Sequence, residues 1–250
     1  MVMERMPEGP PTSGPVPADE AAARRALRVQ MLATEHWSLL ATRSLSWNEA
    51  FARASMFLSL LSGAVVALAL VAQATAFGEG FVLFAIMLLP VVLFVGLATY
   101  VRLLEINNED YVWVRGMNRL RGAYLEIDPG LAPYFVTGTD DSAEAIFQTF
   151  GSLPNEPGSL DVGNFHGFVT TPATIAFVDA MLAAVLAAIV AVQLQEAMLP
   201  AAGVGVLAFF VVGVALAVIG YRSQRMAHLA PAARASNQDL APKNQQEGSQ

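Results

Sequence analysis

Four runs of about twenty mostly apolar residues constrain this chain more than any other feature, because each is long enough to cross a bilayer as a helix. They cover roughly residues 54–76 (ASMFLSLLSGAVVALALVAQATA), 81–104 (FVLFAIMLLPVVLFVGLATYV and the residues after it), 172–194 (PATIAFVDAMLAAVLAAIVAVQL) and 202–221 (containing GVGVLAFFVVGVALAVIGY). Only FGEG separates the first two and QEAMLPA the last two. The spacing therefore predicts two tight antiparallel helical hairpins. The expected fold class is an all-α integral membrane protein: four transmembrane helices in two antiparallel hairpins with a cytoplasmic helical layer.

Charge supports that reading and orients it. The chain is 55% hydrophobic and only 14% charged, whereas a soluble domain usually carries about 25% charge. All 14 basic residues precede the first run, lie at the end of the second (Arg102) or between it and the third, or follow the fourth. The two short turns hold only Glu79 and Glu196. By the positive-inside rule both termini and the central segment are cytoplasmic, which predicts a multi-pass membrane protein. The start of the chain has no basic stretch leading into a short apolar core, so no secretory signal is expected. With 0 cysteines, disulfides, thiolate nucleophiles, iron–sulfur clusters and cysteine zinc sites are excluded. A net charge of −7 argues against a nucleic-acid partner.

Six segments follow from this pattern: a disordered tail over 1–18, a cytoplasmic helix over 19–45, a first transmembrane hairpin over 46–104, a cytoplasmic helix extension and loop over 105–171, a second hairpin over 172–221, and a largely disordered cytoplasmic tail over 222–250. Asp19 is placed to cap the first helix, in which Val29, Leu32, His36, Leu39 and Arg43 follow one helical row and Ala33, Trp37 and Leu40 another. SWNE at 46–49 fits a capping box, so a break near 44–46 is expected, with a new helix entering the first span. Helix 19–44 has two readings, lying on the membrane surface or packing against the other cytoplasmic helices. Trp47 and Arg53 suit the interface.

The stretch RLLEINNEDYVWVRGMNRLRGAYLE, 102–126, extends the second span instead of becoming a loop. Ile106, Trp113, Met117, Leu120, Tyr124 and Ile127 form a heptad-like stripe, with Asp110 at the missing position. The helix should run from 81 to 127, about 70 Å, and stop at DPG. Asp110, Trp113, Met117, Leu120 and Tyr124 are the candidate packing residues toward helix 19–44, and Asp110 is the one in need of a partner. A short helix capped by Ser142 is expected over 142–150, with Ile146 on its apolar face, then a loop through SLPNEPGSLDVGNFHGF. Thr171 should cap the third span, ahead of Pro172.

Asp179 is the one formally charged residue well inside a span, about 10 Å in from Pro172, and a lone carboxylate in hydrocarbon should face protein or water. Two readings stand: a proton or cation site, or a structural carboxyl bonded to Ser55, Ser59 or Ser62 or paired with Arg53 or Arg102. The three serines lie at i, i+4 and i+7, on one helix face. Alanines recur every fourth position in the third span, and glycines at 205, 213 and 220 mark the fourth, a pattern that lets helices approach closely. Pro90 kinks the second span or hinges it. Glu105 and Glu109 stand one turn apart beyond the membrane, but no histidine follows an acid at i+3 as a carboxylate di-metal bundle needs. No metal and no cofactor are expected. Arg115 and Arg119 make acid–arginine pairing between helices the better use of these charges. No nucleophilic triad spacing, phosphate loop or HExxH motif stands out.

Residues 32–70, LATEHWSLLATRSLSWNEAFARASMFLSLLSGAVVALAL, and 118–135, NRLRGAYLEIDPGLAPYF, resemble uncharacterised bacterial multi-pass membrane proteins. The resemblance spans most of 27–221; it implies a bacterial inner membrane as the location and neither an activity nor a site. A looser likeness is to small two-span membrane effectors of bacterial conflict systems, in which cytoplasmic helices flank one hairpin; this chain departs by having a second hairpin. The expected function is that of a non-catalytic structural, signalling or pore-type module, not an enzyme, acting through protein contacts or oligomerisation. Its partners would be the lipid bilayer and a second copy or another membrane protein. The alternatives are a proton- or cation-coupled transporter centred on Asp179, or a membrane enzyme using cytoplasmic acids.

Overall fold

The computed structural model describes residues 18–149, 170–194 and 197–239, and contains helices and turns with no strand among them. The expected disordered tail 1–18 lies outside the described residues apart from its last residue, as do most of the loop from 151 and the end of the chain from 240. Four helices are long and apolar enough to cross a membrane. α1 is Ala18–Thr75, α2 is Glu79–Ile127, α3 is the short Ala143–Thr149, α4 is Thr171–Gln193 and α5 is Met198–Asp239.

α1 is one unbroken helix, so the break expected at 44–46 does not occur. The residues that suggested it are used elsewhere. Glu49 accepts from Arg53 and Arg102 instead of folding back on the Ser46 backbone. Asp19 lies inside the first turn, where its charge suits the positive end of the helix dipole, and does not cap it. From about residue 32 onward one row of α1 turns inward: His36, Leu39 and Arg43 in the polar half, then Ala50, Ala54, Phe57 and Ala64, while residues 18–31 are exposed. Ala33 joins that side half-buried, while Trp37 and Leu40 are exposed.

α2 carries the structure. It packs against α1, α4 and α5. It runs through the exposed Pro90 without interruption, and ends where Asp128 turns extended and its side chain accepts from the Gly130 N–H, leading into a 3-10 turn over Pro129–Tyr134. Contacts with α1 run in opposite chain order: Arg28 with Glu126, His36 with Tyr124, Arg43 with Asp110, Glu49 with Arg102. The N-terminal part of α1 therefore lies along the extension of α2. At the far end Ala76 and Phe77 hold φ of 47° and 61°, a left-handed pair that turns the chain in the three residues before Glu79.

In the apolar portion the core gathers Phe57, Leu89, Val92, Leu103, Ile175 and Leu216. The small residues of α4 and α5 meet each other: a side chain on Gly205 would touch Ala184 and Ala188, and one on Gly213 would touch Ala180. Their use here is close packing within the chain. Tyr100 donates to the Leu216 carbonyl of α5 at 2.7 Å, and Asn108 donates to Ser223 at 2.7 Å, so α5 is pinned to α2 at two levels. α5 stays helical to Asp239, where a largely disordered tail from 222 was expected. The cap of α4 is Thr170, one residue before the expected Thr171, its hydroxyl accepting from the Ala173 N–H.

Candidate functional site

Two polar places stand out, one among apolar helices and one between the polar ends of α1 and α2. The first is Asp179. It is 0% exposed, and neither carboxylate oxygen has a hydrogen-bond partner among the described residues. Its carboxylate occupies the notch left by the absent side chain of Gly96 on α2, beside the ring of Phe57. The serines expected to receive it do not. Ser55, Ser59 and Ser62 are exposed; Ser59 donates to the Ser55 carbonyl at 2.8 Å and Ser62 to the Leu58 carbonyl at 2.8 Å. The inward row of α1 is Ala54, Phe57, Leu61 and Ala64, and at 3.6 residues per turn the three serines fall on the opposite side, about 120–180° round the helix from the centre of that row. Arg53 and Arg102 are both committed to Glu49. Gly96 and Phe57 are not legible as site residues in the sequence, because nothing in a glycine or a phenylalanine of an apolar run announces a neighbour on another helix.

The second place is the seam of the stalk formed by residues 18–50 and 102–127. Asp110, 1% exposed, takes both nitrogens of the Arg43 fork, Nε at 2.6 Å and Nη2 at 3.2 Å. Next toward the apolar portion, Arg102 grips Glu49 with Nε at 3.0 Å and Nη2 at 3.1 Å, and reaches Glu105 and Glu109 with Nη1. Hydrogen bonds from Arg102 and then Arg53 hold the Glu49 carboxyl well below the usual carboxylate range, at about 2. The acids that looked able to bind a metal are thus arginine ligands, and no group of three or more His, Asp or Glu suited to a metal occurs among the described residues.

Of the remaining stripe residues, Met117 is fully buried with Val114, against Leu39, Tyr111 and Ile146 of α3. Trp113, Leu120 and Tyr124 are half-buried. The Tyr124 ring stacks on His36 at 6.1 Å and on Phe135 at 6.4 Å. The seam thus follows Ile106, Asp110, Val114 and Met117, and Trp113 flanks it. Asp141 fastens the segment before α3 to α2, accepting from Arg119 at 2.7 Å and Arg115 at 3.2 Å, and Ser142 caps α3 by accepting from the Ala145 N–H.

Further along, Asn118 is 0% exposed; its carbonyl oxygen accepts from Arg121 at 2.8 Å, while its Nδ2 has no acceptor among the described residues. Burial, and then the nearby Arg43 charge, pull the Arg121 guanidinium down. Burial and then Arg121 likewise pull the His36 imidazole down.

Between α4 and α5 lies a groove of about 430 Å³ lined by Met181, Ala184, Ala188, Gly205 and Phe209 among others. Its apolar lining offers no group for chemistry. No protein-family model, curated protein or solved structure matches the chain.

Proposed function

We propose that the chain is a multi-pass protein of a bacterial inner membrane. Its four apolar helices cross as two antiparallel hairpins, with both termini and the 105–171 segment in the cytoplasm. In this reading it is a non-catalytic structural, signalling or pore-type module that acts through protein contacts or oligomerisation. One observation carries the reading: the stalk exposes large apolar side chains on the outer side of α1, where Trp37 is 70% exposed and Met31 and Leu45 are similarly bare. Trp37 stands about 25 Å along the helix from the first span, beyond the reach of lipid, so another protein surface is what covers it. The unbroken α1 and α2 would carry a push on that surface into the spans.

The absence of cysteine makes the topology directly testable. Single cysteines replacing Glu79 and Glu126 should label with an impermeant thiol reagent from opposite sides of the membrane; labelling from one side rejects the hairpins. In nanodiscs, mass measurement and cross-linking should find more than one copy or a bound partner, and Trp37→Glu with Leu45→Glu should weaken that contact. A strict monomer with no cross-linked partner would overturn the module reading.

The second reading, a proton- or cation-coupled transporter, is favoured by the buried and unpartnered carboxylate of Asp179, since an ionisable group inside a membrane is a functional candidate by default. Liposome flux compared between wild type and Asp179→Asn decides it. Equal flux, or none, sinks it.

A further inference from the structure

The carboxylates of the stalk are distributed unevenly. Arg24, Arg28, Arg43, Arg53, Arg102, Arg115 and Arg119 each have an acid within 4.0 Å, and the exposed Arg25 donates to the Ile127 carbonyl. Arg121 has none among the described residues; its hydrogen bond goes to a neutral amide oxygen. It is nonetheless half-withdrawn from water, and its charged neighbours in the seam are the cation Arg43, already held by Asp110, and the titratable His36. A half-buried guanidinium without a counter-charge is costly. Directly beside it, the fully buried Asn118 amide points an N–H at no acceptor, which is also costly. Both deficits are of one kind: donors and positive charge in excess, acceptors and negative charge lacking.

We propose that Arg121, Asn118 and His36 form a binding site for an oxyanion of the phosphate type between the polar ends of α1 and α2. The planar fork of Arg121 matches two oxygens of such a group, Asn118 Nδ2 supplies a third donor, and the His36 ring, braced on Tyr124, closes the site from α1. Because residues of both helices contribute, the bound anion would tie the outer ends of α1 and α2 together beyond the Arg43–Asp110 clamp. The source follows from position, given the membrane reading. Arg121 lies about 25 Å along α2 from the end of the second span, which puts lipid phosphates out of reach and leaves a free, water-borne anion.

The test uses the full chain in a maltoside detergent, whose headgroup carries no phosphate, titrated calorimetrically with inorganic phosphate against sodium chloride at matched ionic strength. One saturable site is expected for wild type. Arg121→Gln should weaken it about tenfold or more, as loss of a charge-assisted bond implies. Asn118→Asp, which hands Arg121 a carboxylate of its own while keeping the side-chain shape, should abolish phosphate binding and leave the circular dichroism unchanged. No saturable binding by wild type overturns the proposal, whatever group of the chain then serves Arg121, and so does equal affinity in wild type and Arg121→Gln. Vesicles containing an anionic phospholipid, added alongside phosphate, should not compete with it; competition by them would overturn the assignment to a free anion. This outcome is separate from the cysteine-labelling result, so failure of the site and failure of the membrane reading remain distinguishable.

Discussion

Arg43 and Asp110 meet across the α1–α2 seam with two guanidinium nitrogens, Nε and Nη2, on one carboxylate, at 2.6 and 3.2 Å. Asp110 is 1% exposed, while the Arg43 side chain keeps 22% of its surface in water. The acid therefore depends on the arginine more than the reverse. Removing one partner of a fully buried pair costs about 3–5 kcal/mol. The partial exposure of Arg43 reduces this, and Asp110→Asn should cost about 2–3 kcal/mol. Replacing both at once, Arg43→Met with Asp110→Leu, should restore stability to within about 1 kcal/mol of wild type or better. Hydrogen exchange along residues 25–45 reads the outcome locally: fast exchange in the single variant and slow exchange in the double one.

A different ion pair sets the acid limit. Glu49 sits at about 2 in the folded chain because Arg102 and Arg53 hydrogen-bond its charged form, whereas an unfolded glutamate titrates near about 4.3. A depressed folded value means its contribution is fully present above about 4.3 and is lost as pH falls through about 2. Asp140, lowered by its bonds from Ser142, acts in the same direction. The melting temperature in detergent should hold steady above about pH 5 and decline toward pH 2. Glu49→Gln should flatten much of that decline while lowering the plateau; an unchanged slope would show that the Arg102 grip contributes nothing.

The apolar runs and the length of α2 could be read from the sequence because composition and the DPG stop act locally. The partners could not, because they depend on the rotation and register of helices far apart in the chain. Asp110 was recognisable as an acid in an apolar stripe, yet nothing local picks Arg43 over Arg28 or Arg53. The expected break at Ser46 failed for a related reason. A capping box is a local preference worth about 1 kcal/mol, and it yields when Glu49 finds two arginines and the helix gains a continuous packing row. The three serines mislead by their perfect spacing: i, i+4 and i+7 do define a face, but not that it is the buried one, and a helical serine can satisfy its hydroxyl on its own backbone.

Tyr100 offers a test of how α5 is held. Its hydroxyl donates to the Leu216 carbonyl, and a side chain at Gly220 would lie 2.8 Å from that same hydroxyl. Tyr100→Phe should cost about 0.5–1.5 kcal/mol. Gly220→Ala should cost more, since it displaces the ring as well as the bond. The double variant should be more stable than Gly220→Ala alone, because the methyl then occupies the space of the missing oxygen. Strict additivity of the two changes in a thermal melt would refute the contact.

The niche around Asp179 makes the last prediction, and it bears on both functional readings. A side chain on Gly96 would collide with the Asp179 carboxylate and lie 2.8 Å from the Phe57 ring. If the niche is as tight as this, Gly96→Ala forces α2 and α4 apart at a cost of about 1–3 kcal/mol. Asp179→Ala in the same chain removes one of the two obstacles and should recover part of the loss, leaving the share due to Phe57. A transport site needs the carboxylate to meet water at some stage of its cycle, so in that reading Gly96→Ala also blocks flux at a temperature where the protein remains folded. In the structural reading Asp179→Asn keeps the shape of the carboxyl and leaves assembly and stalk contacts as they are. Measuring melting temperature and liposome flux on the same three variants separates a packed carboxyl from a working one: stability coupling without flux assigns Asp179 to packing, and flux lost in Asp179→Asn at unchanged stability assigns it to transport.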